Sequence, residues 1–229
     1  MNLLLTLDKN YLLPCKVLLY SFFTNNPGET DVTIYLLHST MPTEKLDELK
    51  NYCSEFGADL KPISVDASLF DNAPTNKRYP KEMYYRLLSP LILPKELDRI
   101  LYLDTEHEYF NSGVLLIDLN TARKLVTSND IFDCVRQHEK ELILPDQDVF
   151  NILYGKYTMP VNDVIWNYDV RNYPKYLIRS TGKNNLNWIM QNTSVLHFCR
   201  KHKPWQDDYK NPFGILYLHY LNRMMRKIK

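Results

Sequence analysis

The first 65 residues alternate between two hydrophobic periods. Asn2–Leu7 is a short apolar run that ends at Asp8 and reads as a buried strand. Apolar positions then recur at helical spacing from Tyr11 to Phe23, through Leu12, Val17, Leu18, Leu19, Phe22 and Phe23, with Pro14 early in the segment. Asn25-Asn-Pro-Gly28 reads as a turn, and Val32–Leu37 as a second strand. Thr43–Phe56 places Leu46, Leu49, Cys53 and Phe56 on one face and stops at Gly57, a good helix terminator. Leu60–Val65 completes a β-α-β-α-β run whose connections are long enough for parallel strands.

Farther along, Pro80–Leu93 reads as a helix ended by Pro94. Arg99–Leu103, before Asp104, is nearly continuous in apolar residues, as expected of a central strand covered on both faces. Val114–Ile117 is a further strand. Ala122–His138 and Asp146–Tyr154 read as helices, the second entered through Pro145. Between Tyr157 and Asn192 the texture becomes aromatic, Asn-rich and irregular. Ser194–Phe198 reads as a last strand and Phe213–Arg226 as a terminal helix. The expected class is α/β, with a mostly parallel central sheet and an irregular C-terminal part. The expected organisation is one domain over residues 1–212 and a basic amphipathic helix or tail over 213–229.

Composition narrows the chemistry. The 229 residues include 6 Gly, so the G-x-G-x-x-G fingerprint cannot be written anywhere, and Gly182-Lys183 lacks the rest of a P-loop. G-x-S-x-G and H-E-x-x-H are missing as well. Cys15, Cys53, Cys134 and Cys199 form no CxxC, which excludes a zinc ribbon and reads as buried thiols in a reducing, cytoplasmic setting. The N-terminus has no basic region of a signal peptide, and no stretch approaches the ~20 apolar residues of a membrane span. Net charge is +1, so nucleic acid is not implied. The total hides an asymmetry: His197–Lys229 carries 8 Lys/Arg against 2 Asp/Glu, on an otherwise acidic body. That end suits an anionic ligand, peripheral contact with an anionic membrane, or simply a solvated tail.

Four local patterns carry chemistry. Asp104-Thr-Glu106 closes an apolar strand, where carboxylates at i and i+2 point to one side and can share a hard cation, although solvated acids at a strand end look the same. His197 precedes Arg200, Lys201, His202 and Lys203-Pro-Trp205, offering an imidazole to a metal and an ammonium to a phosphate. Asn111-Ser-Gly113 feeds a strand with an amide at its mouth, or is an ordinary tight turn. Asp146-Gln-Asp148 opens a helix, either as a polar site or as simple capping.

These patterns occur in one order with Leu7-Asp8-Lys-Asn10-Tyr11 and Tyr84-Tyr-Arg86-Leu87, and the ordered set resembles glycosyltransferase family 8 nearly end to end. The resemblance implies a GT-A fold, a retaining transfer of hexose from a UDP-sugar (UDP-glucose or UDP-galactose), Mn²⁺ or Mg²⁺, and a glycan or lipid-linked acceptor in cell-surface polysaccharide biosynthesis. It assigns Asp8 and Asn10 to uracil and ribose, Arg86 to sugar or diphosphate, and Lys203 to the diphosphate. Asp104 and His197 go to the metal, with Glu106 in the place of the second acid. Asn111, Asp146 and Gln147 go to the transferred sugar, Gln147 facing the anomeric carbon.

One departure stands out. The family has several dozen residues between its Asp-x-Asp and its Phe-Asn-x-Gly, and here only a few intervene. Either this is a deletion, or an unseen stretch follows Thr105 and makes Glu106 a false neighbour; the second is the expectation. The rivals to a transferase are a sugar nucleotidyltransferase, which normally carries a Gly-rich N-terminal loop absent here, and a sugar-nucleotide-binding protein without transferase activity.

Overall fold

The structure is a computed structural model, and it describes residues 1–71, 73, 81–103, 113–199 and 202–227. Its centre is a five-stranded sheet of β1 (Asn2–Thr6), β2 (Thr33–His38), β3 (Asp59–Ser64), β4 (Arg99–Leu103) and β5 (Val114–Asp118), in the order β3-β2-β1-β4-β5. β1, β2, β3 and β4 run parallel, as the crossover lengths predict. Leu3, Leu4 and Leu5 are buried because both faces of β1 are covered. Leu3 and Leu5 join a core formed with α1 (Leu12–Asn25), α2 (Thr43–Ser54) and α10 (Gly214–Lys227). Leu4 faces the opposite core with α3 (Tyr85–Ile92), α5 (Ser128–His138) and α6 (Pro145–Tyr154). α2 is followed by Gly57 at φ +73°, a left-handed position that glycine occupies without strain.

The sheet is mostly parallel, as expected, and β5 runs antiparallel to β4, with Leu103 opposite Val114 and Arg99 opposite Asp118. Antiparallel neighbours need only a hairpin. Three expectations need correction. β4 is not covered evenly: Ile100 and Tyr102 are buried, whereas Leu101 and Leu103 are only half-covered. On the same face β5, at the sheet's edge, leaves Leu116 73% exposed. The segment read as one helix from Ala122 is two, α4 (Leu119–Leu125) and α5. Val126 and Thr127 adopt extended backbone between them, and the Thr127 hydroxyl accepts the Asp130 N–H at 3.1 Å, starting a new helix. Finally, His197 does not end a strand of the main sheet. It lies on β7 (Leu196–His197), paired in parallel with β6 (Tyr168–Asp169) in a separate two-stranded sheet.

The irregular C-terminal part builds its own small core. Short helices α7 (Asp163–Trp166), α8 (Tyr173–Arg179) and α9 (Leu186–Asn192) gather Val164, Tyr168, Tyr176 and Ile189 around Phe213. α10 packs on α1 through Tyr217 and Met224, and Asn25 donates to the Tyr220 hydroxyl at 2.8 Å. Its outer side exposes Ile215, Leu218 and Met225 beside Arg223 and Arg226. Among the described residues, no helix is long and apolar enough to cross a membrane. The four cysteines are buried and none is in a disulfide.

Candidate active site

The carboxyl ends of the parallel strands open onto a cavity of about 910 Å³. Asp8, Arg86, Asp146, Gln147 and His197 all line it, and they come from four separate stretches of chain. Asp8 follows β1 and caps the 3-10 turn Lys9–Tyr11, its carboxylate accepting from the Asn10 backbone N–H at 2.7 Å and the Asn10 amide at 3.1 Å. Asn10 is thereby held on Asp8 and lines a neighbouring shallow pocket with Lys16 and Glu48. Tyr11 also lines the cavity, edge-on to Trp205 with ring centroids 6.1 Å apart.

Arg86 and Asp146 form a buried ion pair, Nη2 to Oδ2 at 2.5 Å. Arg86 Nε also donates to the Met83 carbonyl at 3.0 Å, and its guanidinium lies 4.8 Å above the Tyr102 ring. Tyr102 in turn shares a 3.2 Å hydrogen bond with Thr6. The chain of contacts ties β1 and β4 to the start of α6, so the ion pair is fixed by the sheet itself. Burial, with the charge of Asp146 added to it, pushes the Tyr84 phenol well above its usual range. Asp146 and Gln147 occupy the first turn of α6 behind Pro145. The N-cap Leu144 brings no side-chain cap, and Asp148 reaches back instead: its carboxylate accepts from the Ile143 and Leu144 backbone N–H groups, each at 2.8 Å. Asp146 and Gln147 both line the cavity, and Gln147 is almost wholly buried.

His197 is also buried, and its Nδ1 lies 2.7 Å from the Asn167 side-chain oxygen. An amide oxygen only accepts, so Nδ1 carries a proton, and in the neutral ring Nε2 then holds the lone pair that a metal requires. Opposite His197 on β6, Asp169 holds Arg171 through both carboxylate oxygens at 2.5–3.0 Å. Lys203 is buried with its ammonium 3.1 Å from the Phe198 carbonyl and over the Trp205 ring at 5.9 Å. It is not part of the cavity lining.

Asp104, Glu106 and Asn111 lie outside the described residues. Among the described residues, no three His, Cys, Asp or Glu side chains gather to hold a metal ion. His197 with Asn167 behind it suits one ligand position, and the acids assigned as its partners fall in the 104–112 segment. Sequence reasoning missed Asn167, Tyr102 and Glu82. Asn167 lies 30 residues from His197 in an irregular Asn-rich stretch, and Tyr102 sits inside an apolar strand, so no spacing pointed to either. Glu82 lines the cavity and accepts from Ser39 at 2.6 Å.

The match to known proteins agrees with this geometry. The model of "Glycosyl transferase family 8" matches residues 2–106 and 105–209. General stress protein A of Bacillus subtilis is 25% identical over 269 positions, covering 97% of this chain and 93% of that protein. A lipopolysaccharide 1,2-glucosyltransferase of Escherichia coli is 21% identical, over 88% of this chain and 72% of its own length. The structure of galactosyltransferase LgtC in complex with donor and acceptor sugar analogs superposes with a TM-score of 0.79 at 18% identity, over 97% of this chain and 96% of that one. The glycosyltransferase GlyE of Streptococcus pneumoniae TIGR4 superposes with a TM-score of 0.70 at 17% identity, over 99% and 63%.

The same alignments correct the expectation of an unseen stretch after Thr105. The chain is one continuous run through residues 104–112. Of the 269 positions aligned with the Bacillus protein, 97% of 229 residues fills about 222, leaving about 47 that only the relative occupies. The family match breaks in two at residues 105–106. No stretch intervenes after Thr105 in the sequence, and Glu106 is the second neighbour of Asp104. With its GT-A fold and a match spanning most of its length, this chain belongs to glycosyltransferase family 8.

Proposed function

We propose that this glycosyltransferase moves a hexose from a UDP-sugar to an acceptor hydroxyl with retention at the anomeric carbon. The observation that carries the reading is the convergence of Asp8, Arg86, Asp146, Gln147 and His197 on one cavity at the strand ends. In this reading Asp8, braced by Asn10, holds the uracil and ribose end. Arg86, already fixed by Asp146, reaches the sugar or diphosphate. Lys203 turns from the Phe198 carbonyl to a phosphate oxygen. Asn111 and Asp146 hold hydroxyls of the transferred sugar.

The bond from the anomeric carbon to the UDP oxygen breaks while the acceptor oxygen bonds to the same face. The acceptor proton passes to the departing phosphate. Gln147, buried in the cavity wall, stabilises the positive charge that develops on the opposite face. An amide oxygen is a weak nucleophile, which favours front-face attack over a covalent intermediate. Mn²⁺ or Mg²⁺, when bound, supplies charge neutralisation for the leaving diphosphate. Asp104, His197 and Glu106 are its proposed ligands. Asn167 keeps His197 in the tautomer that such a cation needs.

A second reading, a protein that binds a sugar nucleotide without transferring the sugar, is favoured by the shortened 104–112 segment. UDP release from UDP-hexose in the presence of Mn²⁺ and an acceptor separates the two. Transfer gives UDP and a glycosylated product, and binding alone gives neither.

A further inference from the structure

We infer that Glu82 is a specificity residue for the donor: its carboxylate accepts from a hydroxyl of the transferred hexose and turns away a hexuronate, which carries a carboxylate of its own. This deepens the transferase reading and rests on it for the presence of a UDP-sugar in the cavity. Glu82 is buried and lines the cavity. It stands in the 3-10 turn Lys81–Tyr84, which runs directly into α3.

Arg86 follows four residues later, and both residues line the same cavity. A glutamate four positions before an arginine on a helix ordinarily supports it as an ion pair. Here Arg86 pairs with Asp146 at the start of α6 instead. Among the described residues Glu82 makes no ion pair, and the hydrogen bond it has is the one from the Ser39 hydroxyl to Oε1, at 2.6 Å. Its other oxygen has no partner among the described residues and is not sealed from solvent. His38 is close enough to feel the Glu82 charge, yet burial lowers its pKa, so the ring supplies no positive charge at neutral pH.

A carboxylate mostly removed from water, with no cation beside it, is costly unless a ligand satisfies it. Ser39 fixes one oxygen, which leaves the other for a donor in the cavity. The local charges decide what that donor is. Asp146 offsets Arg86, so the Glu82 charge stands uncompensated. An anionic group set against it is repelled, and burial weakens the screening that would soften the repulsion. The diphosphate therefore does not lie there, and the neutral, hydroxyl-bearing rings of a UDP-sugar remain. Glu82 shares a helical stretch with Arg86, and Arg86 is tied to Asp146, the residue proposed to hold the transferred sugar. The hexose, not the ribose, is thus the ring assigned to Glu82. A hexuronate on the same ring brings a second carboxylate within about one Debye length, ~8 Å.

The test is calorimetry on the full chain with Mn²⁺, using UDP, UDP-glucose and UDP-galactose, and the hexuronate counterpart of each sugar. Wild type is expected to bind the hexose of its choice about 10–100-fold more tightly than the matching hexuronate. In Glu82→Gln the amide oxygen still accepts from Ser39, and the amide N–H can donate to a carboxylate. That variant is expected to narrow the gap to about threefold or less, at unchanged melting temperature and UDP affinity. Glu82→Asp keeps the charge and should keep rejecting the hexuronate. A residue with a merely structural role would not create affinity for a hexuronate. Wild type that binds both sugars equally, or a gap that survives in Glu82→Gln, overturns the inference. So does a loss of UDP affinity in Glu82→Gln as large as the loss for UDP-hexose, which would put Glu82 on the nucleotide. UDP binding without discrimination between hexose and hexuronate overturns only the role of Glu82, whereas a chain that binds neither UDP nor its sugars contradicts the transferase reading as well.

Discussion

The guanidinium of Arg86 meets the carboxylate of Asp146 at 2.5 Å, with both side chains almost wholly buried between α3 and α6. Neither charge sees much water, so each depends on the other. Removing one partner strands the second, at a cost of about 3–5 kcal/mol. Asp146→Ala is therefore expected to lower the melting temperature by about 10 °C, taking ~2–4 °C per kcal/mol for a chain of this size. Thermal unfolding checks it. A variant that melts with the wild type shows that the pair is not held as described.

Asn167 acts on the site only through His197, as a positioning residue. Its side-chain oxygen selects the imidazole tautomer. Loss of such a partner typically costs ~10–100-fold in metal affinity. Asn167→Ala is expected to weaken Mn²⁺-dependent UDP binding by that order, with little change in metal-free UDP binding. Calorimetry with and without Mn²⁺ separates the two quantities. Equal losses in both would make Asn167 a general packing residue.

His38 closes β2 beside Glu82, and burial lowers its pKa while the Glu82 charge opposes that shift. A histidine whose folded pKa lies below its unfolded ~6.5 is held neutral in the fold. The unfolded chain then binds the proton first. The stability gained from neutral burial is present above pH ~6.5 and falls as the pH drops through the folded value. His38→Gln should flatten the fall in stability between pH ~7 and ~5.5, measured by urea unfolding. An unchanged slope would assign the acid sensitivity to other groups.

Much of this was legible from periodicity. The β1–β4 strands, α1, α2 and α6 follow directly from apolar spacing and from Pro145 and Gly57. What failed were relations that need three dimensions. Val114–Asp118 has the same apolar texture whether it runs parallel or antiparallel, so its direction was not readable. The break at Val126-Thr127 is one capping hydroxyl in a helical pattern. Asp146 and Gln147 were singled out by order along the chain, but the ion pair to Arg86, 60 residues away, carries no local signal. Lys203 was singled out by Lys-Pro-Trp, and the contact of its ammonium with the Phe198 carbonyl carries no local signal.

The outer side of α10 sets Ile215, Leu218 and Met225 beside Arg223 and Arg226, the pattern of a helix that lies on an anionic surface. Peripheral membrane contact through this face predicts co-sedimentation with anionic vesicles at low salt. Arg223→Glu with Arg226→Glu should abolish it without loss of fold. Wild-type protein that stays in the supernatant would leave these residues as a solvated surface.

The central claim is catalysis at the cavity that Gln147 and His197 share. The most direct measurement is UDP release from UDP-glucose and UDP-galactose with Mn²⁺ and sugar acceptors, with the product followed by mass spectrometry. Release matched by a product heavier by one hexose is predicted. It should be lost on chelation and in His197→Ala, and strongly reduced in Gln147→Ala at nearly unchanged UDP affinity. Tight UDP-sugar binding with no release from either donor, in wild type as in the variants, would contradict it.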